Sequence, residues 1–344
     1  MRKILLLLIV TMIMGAGNAA LFAQRGGRTA EVLEVKLASP LPQASPWGRT
    51  LERIAAEWNR ITGGQVRPNI RHGGVEGSES KMHLSLAGNS IQAAIFTSFG
   101  LSAINPSVMT MSALFFIRID KELDAVMNEV QGDLEARLNS GDYFLLAWSK
   151  AGFVNIFSKD PVFAPDDLRR QRIASSPEAE DMNAVFKGMG FQVVDMEWTD
   201  VGQKLAAGQV MAAYQQPAGV AAFQLHTILK NMLSINIAPV LGGIVINQVT
   251  WRKIGELNPR YQTELLRATR RIAEEFDGTM AKTVNDAIQS MNREGLKINT
   301  PTPAQEQQWY TEIEKITPAL LQNTYDRELY EKVNNCLVKF RGGR

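Results

Sequence analysis

Two stretches of the chain, residues 32–97 and 172–217, repeat the order strand, helix, strand, helix, strand. In the first stretch apolar residues alternate over 33–37, as in a strand, and then recur every three or four positions over 51–61, as in a helix. Strands separated by helices in this order form a parallel sheet with right-handed crossovers. The repeated order therefore predicts an α/β fold.

The length of 344 residues suggests two lobes rather than one core. Residues 143–149 predict a strand that leads toward the second lobe, and 243–247 predict a strand that crosses between the lobes. A helix with a periodic apolar face begins at Pro259 and runs to Gly295. At 1.5 Å per residue it is about 50 Å long, which exceeds a single lobe of this size. The alternative is two helices broken near Gly278.

Residues 1–23 predict a secretory signal peptide. A positively charged start precedes the apolar run 4–14, and small residues follow, with plausible cleavage after Ala19 or Ala23. The alternative is an uncleaved membrane anchor, although the apolar run is short for a membrane span. The sequence therefore predicts a periplasmic protein.

The charged residues and possible metal ligands show no pattern typical of a nucleic-acid-binding protein or an enzyme. The net charge is +2 and no basic stripe stands out, which argues against nucleic-acid binding. Cys336 is the one cysteine, so no intrachain disulfide forms. His72, His83 and His226 have no metal-ligand spacing, and no nucleophile elbow, phosphate loop or dinucleotide fingerprint is present. We predict no catalytic residue, no metal and no cofactor.

A series of short motifs along the chain resembles the solute-binding receptors of TRAP transporters, the DctP family. In the first half these motifs are VKLASPLPQASPW, ITGGQV and MSALFFIRIDKEL. In the second half the matching residues are Asp167, Leu168, Ile173, Trp198, Leu205, Gly208 and Pro217. The order and spacing of the matches carry the resemblance, which covers about residues 32–340.

The resemblance implies an α/β fold like that of periplasmic binding proteins, with two α/β lobes around a cleft and a long helix spanning both. We predict a first lobe of residues 31–152 and 241–276 and a second lobe of residues 153–240 and 277–344. Such lobes close on a ligand by hinge motion.

Two positions at which the family carries carboxylate-binding arginines are apolar here. Ala174 follows Ile173 where the family has an arginine, and Val154 replaces the arginine of a Gly-Phe-Arg motif. Arg172 shares a strand face with Ala174, so it either reaches the cleft or is solvated at the start of the strand. Burying a carboxylate without a partner costs several kcal/mol. The predicted ligand is therefore apolar or amphipathic.

The ends of the predicted strands and the family resemblance together give a set of candidate ligand-binding residues. For Trp148 and Trp198, packing in the core is the alternative. Ser175 and Ser176 also predict the N-cap of a helix starting at Pro177, whose backbone donors could face the cleft. The candidates are Gln43, Thr97, Ser98, Phe99, Trp148, Phe153, Val154, Ala174, Ser175, Trp198, Tyr214 and Gln216.

The resemblance implies an extracytoplasmic receptor of a TRAP-type secondary transporter. Such a receptor binds a small molecule and delivers it to a membrane permease, and some TRAP systems add a helical-repeat periplasmic partner. The alternative is a ligand-sensing or scaffold module of the same fold that acts through a protein partner.

Overall fold

The structure is a computed structural model that describes residues 32–176 and 179–343, without the side chains of Trp198 and Thr199. The predicted signal peptide at 1–23 lies outside the described residues. Within them, no helix is both long enough and apolar enough to span a membrane.

The first predicted repeat of strands and helices is confirmed. Its first helix begins as predicted, because the Ser45 side chain accepts a hydrogen bond from the Gly48 amide and Pro46 occupies the first turn. The elements in chain order are β1 (Leu33–Ala38), α1 (Pro46–Ile61), β2 (Val66–Arg71), α2 (Glu79–Ala87) and β3 (Ala93–Thr97). They are followed by α3 (Ser98–Ile104), a 3-10 helix (Pro106–Ser112) and α4 (Asp120–Leu138).

Strand β4 (Tyr143–Ser158) is longer than the predicted strand, which ended at Ser149. The strand register shifts between Lys150 and Phe153, and Gly152 within this bulge has a φ of +88°. A glycine with positive φ lets an irregular strand bend without ending. β4 therefore continues through the bulge and pairs in both halves of the molecule.

The second repeat is also present. The α-helix begins at Glu180, and its N-cap Ala179 makes no side-chain cap hydrogen bond. Ser175 is the last residue of a strand and does not cap a helix. Pro177 lies outside the described residues, so the cap at Ser176 stays a prediction. The elements are α5 (Pro165–Arg169), β5 (Arg172–Ser175), α6 (Glu180–Gly188), β6 (Gln192–Asp195), α7 (Trp198–Ala206), β7 (Ala212–Gln215) and α8 (Pro217–Ala222).

One sheet runs through the molecule, in the order β2-β1-β3-β9-β4-β7-β5-β6, in which β9 is Ala238–Asn247. β1, β2 and β3 are parallel, and so are β5, β6 and β7. β9 is antiparallel to β3 and to β4, and β4 is antiparallel to β7, so β9 and β4 together join the two parallel sets. The remaining strands are β8 (Asn231–Leu233) and β10 (Lys297–Asn299). The α/β fold with two lobes is therefore confirmed.

The predicted long helix is continuous. After α9 (Gln248–Leu257), α10 (Pro259–Arg293) runs for 35 residues without a break at Gly278. In the first lobe the Phe276 ring packs on Trp47, with ring centroids 4.0 Å apart. In the second lobe Met291 joins an apolar cluster under β5 and β7. The helix therefore spans both lobes.

The chain ends with α11 (Pro303–Asn323) and α12 (Arg327–Gly342). α12 packs along α4, and Arg341 pairs with the buried Glu122 at 2.9 Å. The predicted second lobe, which includes residues 277–344, therefore also touches the first lobe through α12.

Candidate functional site

The end of β3 is held by a buried carboxylate. Glu79 accepts hydrogen bonds from the amides of Thr97 (3.1 Å) and Gly100 (2.8 Å), at the first turn of α3. The Ser98 hydroxyl is buried and donates to the Leu241 carbonyl at 3.2 Å, whereas Phe99 is half-buried. Of the three candidates Thr97, Ser98 and Phe99, the first and the last are partly exposed, whereas Ser98 is buried in the core.

A hydrogen-bonded network lies at the carboxyl ends of β5, β6 and β7. The Ser175 hydroxyl lies 2.8 Å from the Tyr214 hydroxyl, and both hydroxyls bond to Oδ1 of Asn183. Nδ2 of Asn183 donates to Oδ1 of Asp195 at 2.7 Å. Burial raises the pKa of Tyr214 to about 12, so the phenol stays neutral. The hydroxyls and the amide of this buried network are bonded to one another, and its Asp195 end pairs with the exposed Lys187 at 3.7 Å.

Asn183, at the centre of this network, is not among the candidates predicted from the sequence. It is a polar residue among Met182, Val185 and Phe186 on the buried face of α6, and this position was the one sign of a specific role. Glu79 was also missed, since an acidic residue at the start of a helix is most simply a partner of the helix dipole.

Gln216, which follows β7, is hydrogen-bonded to β4. Its side-chain amide donates to the Ala151 carbonyl at 2.7 Å, within the bulge of β4. Gln43 is exposed and donates to Glu52 at 3.1 Å, in the segment before α1. The side chain of Trp198 lies outside the described residues.

The two positions that match the family's arginines differ in their surroundings. Ala174 is fully buried in an apolar cluster with Val201 and Ala213, whereas Val154 is half-buried. Arg172 is exposed and donates to the Gly208 carbonyl at 2.7 Å, at the amino end of β5. Since Ser175 marks the opposite end of β5, Arg172 lies away from the network of Ser175, Asn183 and Tyr214.

A groove of about 1000 Å³ lies between α4, β4 and α10. Trp148 and Phe153 line it, but no other candidate ligand-binding residue does. Phe153 and Asn155 border the groove and Val154 between them does not. Because neighbouring residues of a strand point to opposite faces, Val154 points away from the groove. The structure thus separates the candidates into two groups.

Asp277 of α10 connects the long helix to β4 by hydrogen bonds. Its carboxylate accepts hydrogen bonds from the Lys150 amide (3.0 Å) and the Ser149 hydroxyl (3.2 Å). Burial raises the pKa of Asp277 to about 6 despite these bonds. The carboxylate therefore anchors β4 just before its bulge, at a cost in desolvation.

We expect Asp277→Asn to stabilise the protein at neutral pH. The folded pKa of Asp277 lies above its unfolded value, so the folded state keeps a proton that the unfolded state releases. Stability then falls as the pH rises from about 4 to about 6, by roughly 2 kcal/mol. Asparagine keeps the Oδ1 acceptor and loses the charge, so the variant should gain about that much above pH ~7 and nothing near pH ~4.

Urea unfolding of both proteins at these two pH values measures the difference. Asp286→Asn, on an exposed position of the same helix, is the matched control and should change stability by less than about 0.5 kcal/mol. A destabilised Asp277→Asn variant at neutral pH would contradict the prediction.

The described residues contain no group of three or more His, Cys, Asp or Glu side chains placed to hold a metal ion. The three histidines have separate partners: His72 contacts Glu52, His83 contacts Tyr143 and His226 contacts Glu294.

Solved structures of TRAP periplasmic solute-binding proteins share this fold. One from Chromohalobacter salexigens, with bound D-glucuronate, matches with a TM-score of 0.79 and 19% identity, covering 88% of this chain and 98% of that chain. One from Ralstonia eutropha, with bound (S)-2-acetolactate, gives 0.80 and 21%, covering 89% and 99%. One from Desulfovibrio salexigens, with bound orotic acid, gives 0.78 and 15%, covering 90% and 99%.

The family model of the bacterial extracellular solute-binding proteins, family 7 (DctP), matches residues 37–323. No curated protein matches the chain in sequence. The family match covers most of the chain, and the topology agrees with that of the solved receptors. The chain therefore belongs to the DctP family and is a TRAP-type periplasmic solute receptor rather than an enzyme.

Proposed function

We propose that this receptor binds a small apolar or amphipathic molecule, between the ends of β3, β5 and β7, and delivers it to a TRAP membrane permease. The observation that carries the proposal is the apolar character of both arginine positions. Ala174 is enclosed by apolar side chains, Val154 presents a half-buried aliphatic surface, and Arg172 is bonded elsewhere. A carboxylate in this site would lack the bidentate partner that recognises it strongly.

The polar groups of the site do not require a charged ligand. The Ser175 and Tyr214 hydroxyls and the Asn183 amide already bond to one another, so they need no polar partner from a bound molecule. Gln216 and the half-buried Phe99 add an amide and an aromatic surface. Trp198 stays a predicted contact.

Closure of the two lobes would present the loaded receptor to its permease. A ligand drives closure when it binds the closed state more tightly than the open state. The bulge of β4 at Gly152, tied to Gln216 on one side and to Asp277 on the other, is a suitable hinge. The predicted lobe boundaries and the helical-repeat partner remain predictions.

Mass spectrometry of a solvent extract of the purified, denatured protein tests the ligand class. We expect a co-purified apolar or amphipathic molecule. Adding it back to the refolded protein should raise the melting temperature. A hydrophilic carboxylate in the extract, with the same effect on melting, would contradict the proposed ligand class. An empty extract, followed by no thermal shift with any apolar or amphipathic compound, would favour the sensor or scaffold function.

A further inference from the structure

The groove between α4, β4 and α10 has a chemical character of its own. We propose that it is a second binding site, distinct from the one at the strand ends, and that it takes an organic amine cation with an apolar body. Its volume of about 1000 Å³ is large enough for a small organic molecule. Because Val154 points away from it, a ligand in this groove would not occupy the site proposed above.

Negative charge prevails in the groove lining. Its basic residues are Lys150 and Arg270, and each already pairs with a carboxylate: Lys150 with Asp124, and Arg270 with Glu135 at 2.8 Å. The other acidic residues of the lining are Asp120, Glu274 and Asp277. Among the described residues none of these three forms an ion pair. The groove therefore carries surplus negative charge that a cation would neutralise.

Burial makes this surplus charge costly in the free protein. It raises the pKa of Asp120, with a further contribution from the nearby Asp124, and it raises the pKa of Asp277. A cation close to these carboxylates would offset the lost hydration of both.

Between the acidic residues the lining is apolar and aromatic. Trp148 is 9% exposed, and its indole N–H has no acceptor among the described residues. The face of an indole attracts cations. The apolar lining residues include Leu123, Met127, Phe153, Met280, Val284 and Ile288.

The acidic side chains are spread along two helices on either side of the groove. Asp120 and Asp124 belong to α4, and Glu274 and Asp277 belong to α10. The described residues offer no cluster of three or more metal-ligating side chains. This spacing therefore suits an extended organic cation rather than a metal ion.

Isothermal titration with 2-phenylethylamine tests the site, with 2-phenylethanol and phenylacetate as neutral and anionic probes of the same shape. We expect the amine to bind, the alcohol to bind at least about tenfold more weakly, and phenylacetate not to bind. Glu274→Gln should weaken amine binding about threefold, and Asp120→Asn with Glu274→Gln about tenfold, since each removes one partly screened charge.

Glu264→Gln is the matched control, because Glu264 is an exposed residue of α10 outside the groove, and it should leave amine binding unchanged. The proposal is overturned if the alcohol binds as tightly as the amine, if Glu264→Gln weakens binding as much as Glu274→Gln, or if the amine does not bind. An empty solvent extract, with amine binding intact and no thermal shift by any other apolar or amphipathic compound, would count against the proposed function alone. A co-purified ligand without amine binding would count against the groove alone.

Discussion

Val154→Arg is expected to turn this receptor into a carboxylate binder. Val154 is half-buried, so a longer side chain at this position can reach solvent and ligand without filling the core. A guanidinium that pairs with a carboxylate in a partly desolvated site contributes about 2–3 kcal/mol, so affinity for D-glucuronate should rise about 30- to 150-fold. Affinity for the co-purified ligand should fall, because the new charge loses hydration when an apolar group covers it.

Isothermal titration of both ligands against wild type, Val154→Arg and Val154→Met measures this change. Methionine is a flexible, uncharged side chain and should not raise the affinity for D-glucuronate. Equal D-glucuronate binding by wild type and Val154→Arg would show that Val154 does not face the ligand. Ala174→Arg is not equivalent, since it would force a cation into a fully buried apolar cluster, and we expect it to destabilise the fold.

Gly48→Ala is expected to be strongly destabilising. A Cβ at this position would lie 2.3 Å from the Pro42 carbonyl oxygen and 2.4 Å from that of Gln43. These are backbone atoms, so the loop before α1 would have to move away from the helix. Overpacking of this kind costs about 3 kcal/mol, and it would also displace Gln43, a candidate ligand contact.

Thermal and urea unfolding measure the loss, and Gly132→Ala is the matched control. Gly132 is an exposed residue inside α4, and a Cβ there would meet nothing within 4 Å. Alanine favours the helix over glycine by about 0.5–1 kcal/mol, so the same substitution should stabilise the protein at this position. A Gly48→Ala variant as stable as wild type would mean that the loop before α1 shifts at little cost.

Much of the fold is encoded locally and could be predicted from the sequence. Ser45 and Pro46 set the start of α1, and Asn258 and Pro259 set the start of α10, because cap residues act on the backbone of the same turn. Helix α10 has a periodic apolar face along its whole length, so Gly278 alone did not break it. Local signals were weaker at β4, where the predicted strand ended at Ser149 and the sheet of the second lobe extended it to Ser158.

The sequence by itself determined the α/β class, the order of the elements and the long helix, and it predicted apolar residues at the two arginine positions of the family. Only the tertiary structure decided that Ser175 bonds to Asn183 and Tyr214 instead of capping a helix, because these partners come from different elements. The acidic groove also had no local signal. Its walls come from α4, β4 and α10, which are distant in sequence, and only the packing of α10 against both lobes brings their side chains together.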